Sequence, residues 1–276
     1  MLRILLHAGF HKSGTTSIQQ ALSTLAESRI IYPPTFEQGP GHAYLARIAG
    51  NPNRPNYNSR SLVDLADHYS RVIRQDRSSV LVFSSENFCN GNSLDGLQLL
   101  ARSYPVHLVL TRRPVAEALP SLQQELIKQG SRLPYLSEAG LTEAAQHIQF
   151  QEKRILHLLD SAKFSQISVI STTLEKPYFL FESIGTILDC RIDGQVLNQR
   201  ISKSSLGHMT RLNESNPELS TYERMVITGA RAESLNPSDQ SYEAFLVDDW
   251  NAREKKLLRF FRRLSRRGRI AFLESK

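Results

Sequence analysis

Apolar residues in this chain gather in short, nearly continuous runs, and the stretches between them carry apolar positions at helical spacing. The runs are Leu2 to Leu6, Val80 to Phe83, Val106 to Leu110 and Ile167 to Ile170. Their length is that of buried strands. Helical spacing predicts helices over Thr15 to Glu27, His42 to Ala49, Leu62 to Arg74, Leu94 to Ser103, from Pro114 towards Gln129, and Thr142 to Ser161. Ile30 to Tyr32 is a shorter apolar piece that runs into Pro33-Pro34, and residues 35–41 and 51–60, rich in Pro, Asn and Gly, are predicted surface loops. Strands alternating with helices predict an α/β fold, a parallel β-sheet built from βαβ crossovers and flanked by helices. From Ser204 onward the pattern is mainly helical. At 276 residues the chain suits one domain, with an α/β core over about 1–215 and a helical C-terminal extension over about 216–276.

In parallel sheets ligands gather at the carboxyl ends of the strands. Three of the predicted strands end in chemistry. The first runs into His7-Ala-Gly-Phe-His-Lys-Ser-Gly-Thr-Thr16, the second into Ser84-Ser85-Glu86, and the third into Thr111-Arg112-Arg113-Pro114. The first of these reads as strand, tight loop, helix, an order that aims backbone N–H groups at an anion. It is not the nucleoside-triphosphate loop G-x-x-x-x-G-K-[ST]. Gly9 and Gly14 have that spacing, but Thr15 stands in the lysine's place and Lys12 lies inside the loop.

The string K-S-G-T-T after a short strand resembles the 5′-phosphosulfate loop of sulfotransferases that use 3′-phosphoadenosine 5′-phosphosulfate (PAPS), and the span from His7 to Gln19 is similar to bacterial members of that superfamily. The resemblance implies a P-loop-type fold. It implies a 5′-phosphate held by Gly9, Ser13, Gly14, Thr15 and Thr16, with Lys12 near the bridging oxygen to the sulfuryl group and His11 shaping the loop. It further implies a 3′-phosphate held by an arginine at the end of the third of these strands, Arg112 or Arg113 with a slight preference for Arg112, and by Ser121. Pro120 stands where the family serine belongs, and a proline inside a helix costs a backbone hydrogen bond. The stretch Arg200 to Ser205 is the best match to a further family element, which brings in Lys203 and Ser204.

The implied chemistry is an in-line transfer of a sulfuryl group from PAPS to an acceptor hydroxyl, leaving adenosine 3′,5′-bisphosphate, with no metal expected. It needs positioning, a cation at the leaving oxygen and a base at the acceptor. Lys12 is the cation. Glu86, where carbohydrate sulfotransferases of the superfamily place a catalytic glutamate, and His42, on the loop after the first helix, are rival bases. A glycan or glycolipid hydroxyl is the expected acceptor, and Lys128 and Arg132 could meet an anionic one. Two rivals remain: an ATP-dependent P-loop kinase, and a non-catalytic phosphonucleotide- or glycan-binding protein. The missing G-K-[ST] stands against the kinase, and Lys12, Glu86 and the arginine pair stand against the binding module.

Composition narrows the classes further. No apolar stretch approaches the roughly 20 residues of a membrane span, and the N-terminal run is too short for a signal peptide. Cys89 and Cys190 have neither metal nor redox spacing, so reduced thiols and a cytoplasmic protein are expected. The net charge of +7 is concentrated at Arg259, Arg262, Arg263, Arg266, Arg267 and Arg269, interleaved with Leu257, Leu258, Phe260, Phe261 and Leu264. That pattern fits a terminal helix that packs its apolar side and keeps its arginines in solvent, or one that meets an anionic surface. It carries no nucleic-acid motif.

Overall fold

The computed structural model describes residues 2–10, 13–35, 39–72, 79–89, 93–173, 175–196, 199–201, 203–227, 232–234 and 247–275. The apolar runs form β1 (Arg3–Gly9), β3 (Val80–Ser84), β4 (Val106–Arg112) and β5 (Gln166–Ser171), and the short piece before Pro33 forms β2 (Ile30–Ile31). With β8 (Ala271–Glu274) they make one six-stranded sheet in the order β2-β3-β1-β4-β5-β8. Every neighbouring pair in it is parallel. The fold is α/β, consistent with the P-loop type.

Helices cover both faces of the sheet. On one side lie α2 (Ala43–Gly50), α3 (Ser61–Val72), α4 (Asp95–Ser103), α6 (Glu138–Ser161) and α10 (Val247–Arg266), packed on Ile4, Leu6 and Ala8 of β1 and on alternate residues of its neighbours. On the other lie α1 (Thr15–Ser23) and α7 (Phe179–Leu188), packed on Leu5, Val82 and Val109. The two-residue alternation of a strand divides its side chains between these two cores. α5 (Val115–Lys128) stands off the sheet end and buries Leu119, Leu122 and Leu126 against Ala144 and Ile148 of α6. The Ser137 hydroxyl accepts the Gly140 N–H at 3.1 Å and starts α6 at Glu138, four residues before the expected Thr142.

The C-terminal third departs from expectation. It does hold α8 (Lys203–Ser215), α9 (Thr221–Ile227) and α10, but also a two-stranded antiparallel pair of β6 (Gln199–Ile201) with β7 (Ala232–Ser234), and β8. β8 pairs with β5 from Ser168↔Ala271 to Ser171↔Glu274. Leu257, Phe261 and Leu264 of α10 enter the same core as β1. The expected helical extension over 216–276 is therefore corrected: its last two elements belong to the main domain. The reason is that α10 carries an apolar stripe, Leu257, Phe261 and Leu264, which enters the core and packs Phe261 on Phe272 of β8, while its arginines, Arg259, Arg262, Arg263 and Arg266, face solvent. Arg262 is paired with Glu274 of β8 at 3.0 Å. Among the described residues no helix is long and apolar enough to cross a membrane.

Because Phe261 is fully buried in the main core, Phe261→Ala should lower stability by about 3–5 kcal/mol. Urea denaturation measures it. A loss below about 0.5 kcal/mol, the value for a peripheral surface position, would return α10 to the status of an appendage.

Candidate functional site

β1 is flanked by β3 and β4, so the loop after β1, the Ser85-Glu86 turn after β3 and the arginine pair after β4 share one rim. The chain leaves β1 towards β2 and β3 on one side and later crosses to β4 on the other. That makes the end of β1 a switch point, the place where open α/β sheets bind ligands.

Under this rim lies a buried row of polar side chains. His7, with no exposed surface, places Nδ1 at 2.7 Å from Ser84 Oγ and Nε2 at 3.1 Å from Thr111 Oγ1. Thr111 Oγ1 lies 2.9 Å from Ser13 Oγ, and the Ser13 hydroxyl donates to the Phe10 carbonyl at 2.7 Å. Register explains the row. His7 pairs with Ser84 and Gly9 with Thr111, so the three polar side chains emerge on the same face, above Leu5, Val82 and Val109. Gly9 leaves the space they need: a Cβ there would lie 2.2 Å from the Thr15 methyl, 2.6 Å from Thr111 Oγ1 and 2.8 Å from Ser13 Oγ. Burial pushes the His7 imidazole from 6.5 down to about 4, although the Glu86 carboxylate pulls it upward. His7 had no assigned role in the sequence reading. A histidine two residues before a loop glycine, on the face shared with Leu5, was the available signal.

Above the row, Gly14 caps α1 with φ of 89°, a left-handed conformation that favours glycine. The first-turn N–H groups from Thr15 onward face out of the helix start. The Thr15 hydroxyl donates to Glu86 Oε2 at 3.2 Å, so the acid after β3 meets the loop that follows β1. Thr16 is exposed at the same helix start. Lys12 and His11 lie outside the described residues. Ser13 requires a correction: its hydroxyl is spent downward on Phe10 and Thr111, so it fixes the loop and does not face a ligand.

His42 is likewise corrected. It is 2 % exposed, accepts the Ser84 N–H on Nδ1 at 3.1 Å and donates from Nε2 to the Pro33 carbonyl at 3.0 Å. Its own backbone N–H reaches the Ser84 carbonyl at 2.8 Å. Both ring nitrogens are committed to backbone, and burial lowers its pKa. The ring ties Pro33 and the start of α2 to the end of β3 and has no lone pair for an acceptor's proton, so of the two rival bases only Glu86 stands at the loop.

Both arginines are buried, Arg112 at 2 % and Arg113 at 9 % exposure. With Phe10, Val115, Ala118 and Leu257 they line a crevice beside the start of the loop. Arg112 donates to Ser171 Oγ at 3.2 Å and forms an ion pair with Glu254 of α10. Arg113 lies 3.9 Å from Glu117. Each arginine of the pair thus faces a carboxylate, Glu254 for Arg112 and Glu117 for Arg113. Ser121 is half-buried along α5, two turns beyond Arg113. Gln123 and Gln124, beside it in sequence, hold the next turn: Gln123 bonds the Pro134 carbonyl and the Leu136 N–H, and Gln124 bonds the Tyr135 hydroxyl. Lys203 and Ser204 open α8, whose Leu206 and Met209 pack on Ile127 near the far end of α5. Among the described residues no group of three or more His, Cys, Asp or Glu is placed to hold a metal.

Comparison of the chain with protein-family models, with curated proteins and with solved structures finds no match.

Two outcomes follow from the polar row. Gly9→Ala should cost about 1–3 kcal/mol by overpacking, read as a lower urea midpoint. The His7 contribution to stability should be flat above pH 6.5 and fall as pH drops towards 4, because the unfolded imidazole binds a proton that the buried one refuses. The His7 part of the fall is about 3 kcal/mol from the shift between 6.5 and about 4. His7→Gln should lose that part of the slope and keep the smaller part due to His42. An unchanged slope would mean that His7 is not buried neutral.

Proposed function

We propose that the protein is a PAPS-dependent sulfotransferase that transfers a sulfuryl group to an acceptor hydroxyl, with a carbohydrate as the first candidate. The observation that carries the reading is the Thr15–Glu86 hydrogen bond, which joins a non-Walker phosphate loop to a carboxylate on the neighbouring strand, one strand away from a buried arginine pair. A donor with phosphates at both ends asks for anion-binding groups at two places along one rim, and the loop and the arginine pair supply them.

The cradle fits such a nucleotide on three counts. The Gly9 position has no room for a side chain beside Thr15 and Ser13, which keeps the backbone close to whatever the loop holds. Gly14 turns the chain into α1 and leaves the helix-start N–H groups open to a 5′-phosphate. Arg112 and Arg113, in the crevice beside Phe10, provide planar forks for a second phosphate. The donor supplies an activated sulfuryl group. Lys12, by resemblance, meets the charge that grows on the leaving oxygen. Glu86 accepts the acceptor's proton, and the Thr15 hydroxyl at 3.2 Å holds one carboxylate oxygen and so orients the other.

Adenosine 3′,5′-bisphosphate without magnesium should raise the melting temperature, with about 2.7 kcal/mol of stabilisation at a hundredfold excess over Kd, and Mg-ATP should not. The reverse pattern would favour the kinase. Transfer of ³⁵S from labelled PAPS to carbohydrate or lipid extracts should then be visible, and its complete absence across both would leave a binding module. With an acceptor in hand, Lys12→Ala should lower turnover by about 10²–10³ and Glu86→Gln by about 10²–10⁴. Full turnover in either variant removes that residue from its role.

A further inference from the structure

Arg112 is the most buried cation of the rim among the described residues, and what neutralises it comes from the far end of the chain. Its NH2 group pairs with Glu254 Oε1, 142 residues away, while the other Glu254 oxygen accepts the Val115 N–H at the start of α5, at 3.4 Å. Ser171 at the end of β5 takes a further guanidinium hydrogen at 3.2 Å. One carboxylate thus holds an arginine fork and a helix-start amide together, the set of donors that a phosphate monoester also takes. The crevice lined by Arg112, Arg113 and Phe10 is closed by Leu257, one turn further along α10. Leu257, Phe261 and Leu264 anchor α10 in the main core. Glu254 lies on the rim side of that anchor and is half-buried.

We propose that Glu254 is a specificity residue: an internal carboxylate that occupies the second-phosphate place of the rim and yields only to a nucleotide that carries a second phosphate. This rests on the sulfotransferase reading. In the resting protein Glu254 matches Arg112. When a 3′,5′-bisphosphorylated nucleotide enters, its dianionic phosphate exchanges for the carboxylate on Arg112 beside Arg113. The turns of α10 before Leu257 then swing out, and the anchored turns stay. No bond is made or broken. A nucleotide with a single phosphate group on its 5′ side reaches the loop but has nothing to exchange for Glu254. Discrimination between the two classes therefore comes from the acid that must be displaced as well as from the arginines that attract.

The test uses the full chain and two probes, adenosine 3′,5′-bisphosphate and adenosine 5′-monophosphate. In calorimetric titrations Glu254→Gln should bind the bisphosphate about tenfold more tightly than wild type, equivalent to about 1.4 kcal/mol, and bind the monophosphate equally. In the wild-type protein the bisphosphate, but not the monophosphate, should speed amide exchange over residues 247–256 and leave 257–266 protected. That measurement stands without any variant, should Glu254→Gln fail to fold. Equal bisphosphate binding by both proteins with unchanged exchange would overturn the role of Glu254 and leave the sulfotransferase reading intact. Weaker bisphosphate binding by Glu254→Gln would overturn it as well, since Glu254 would then be holding Arg112 in place for the ligand. If the wild-type protein bound neither nucleotide, the sulfotransferase reading would fall and the role of Glu254 with it.

Discussion

A parallel sheet covered on both faces has no water with which to satisfy a polar side chain, so any such group placed between its layers must find its partners inside. The row from Ser84 through His7 and Thr111 to Ser13 meets that requirement in a closed chain of hydrogen bonds. The rest of the site depends on it. It sets the height at which the loop leaves β1 and turns the Ser13 hydroxyl inward. The packing at Gly9 fits around it, and α1 starts where Thr15 reaches Glu86. A hydrophobic residue at position 7 would pack well enough but would break the row in two, leaving Thr111 with Ser13 and Ser84 with Tyr32 and nothing to join the end of β3 to that of β4.

The division between what the sequence discloses and what it hides follows the range of the interactions. Strands such as Val80–Ser84 and Val106–Arg112 and helices such as α2 and α4 are encoded locally by run length and spacing, and their observed bounds lie within two residues of expectation. The shared rim was also legible, because parallel strands all end at the same edge of a sheet whatever their order. Roles set by distant partners were not. The Arg112 guanidinium is matched by Glu254, and the His42 ring is matched by the backbone of Ser84 and Pro33. Nothing near Arg112 or His42 in sequence announces either. β8 escaped notice for a different reason. The run Ile270 to Leu273 is as long as Val80 to Phe83, but it follows directly on the arginine-rich helical pattern that ends at Arg269 and reads as its continuation.

α10 shows how one element can serve several ends of the molecule at once. Its apolar stripe closes the core beside β8, its outer side keeps Arg259, Arg262, Arg263 and Arg266 in water, and its rim-side turn carries the acid that meets Arg112. These three sides are separable by helical periodicity, so each can vary without rewriting the others. The charge of the outer side also means that the exposed surface of the domain is unlike its rim, where acid and base are matched pair by pair.

The residues that fix the loop after β1 stand far apart in the chain. His7 meets Ser84 across 77 positions and Thr111 across 104, and Ser13 meets Thr111 across 98. Closing such spans is the slow part of assembling a parallel sheet. A chain folded only as far as α4 would contain the whole sequence of the loop and the whole of β3, yet Ser13 would have no Thr111 to hold it. The conformation of the loop is therefore a product of the arrival of β4, a property of the finished sheet and not of the segment that spells it.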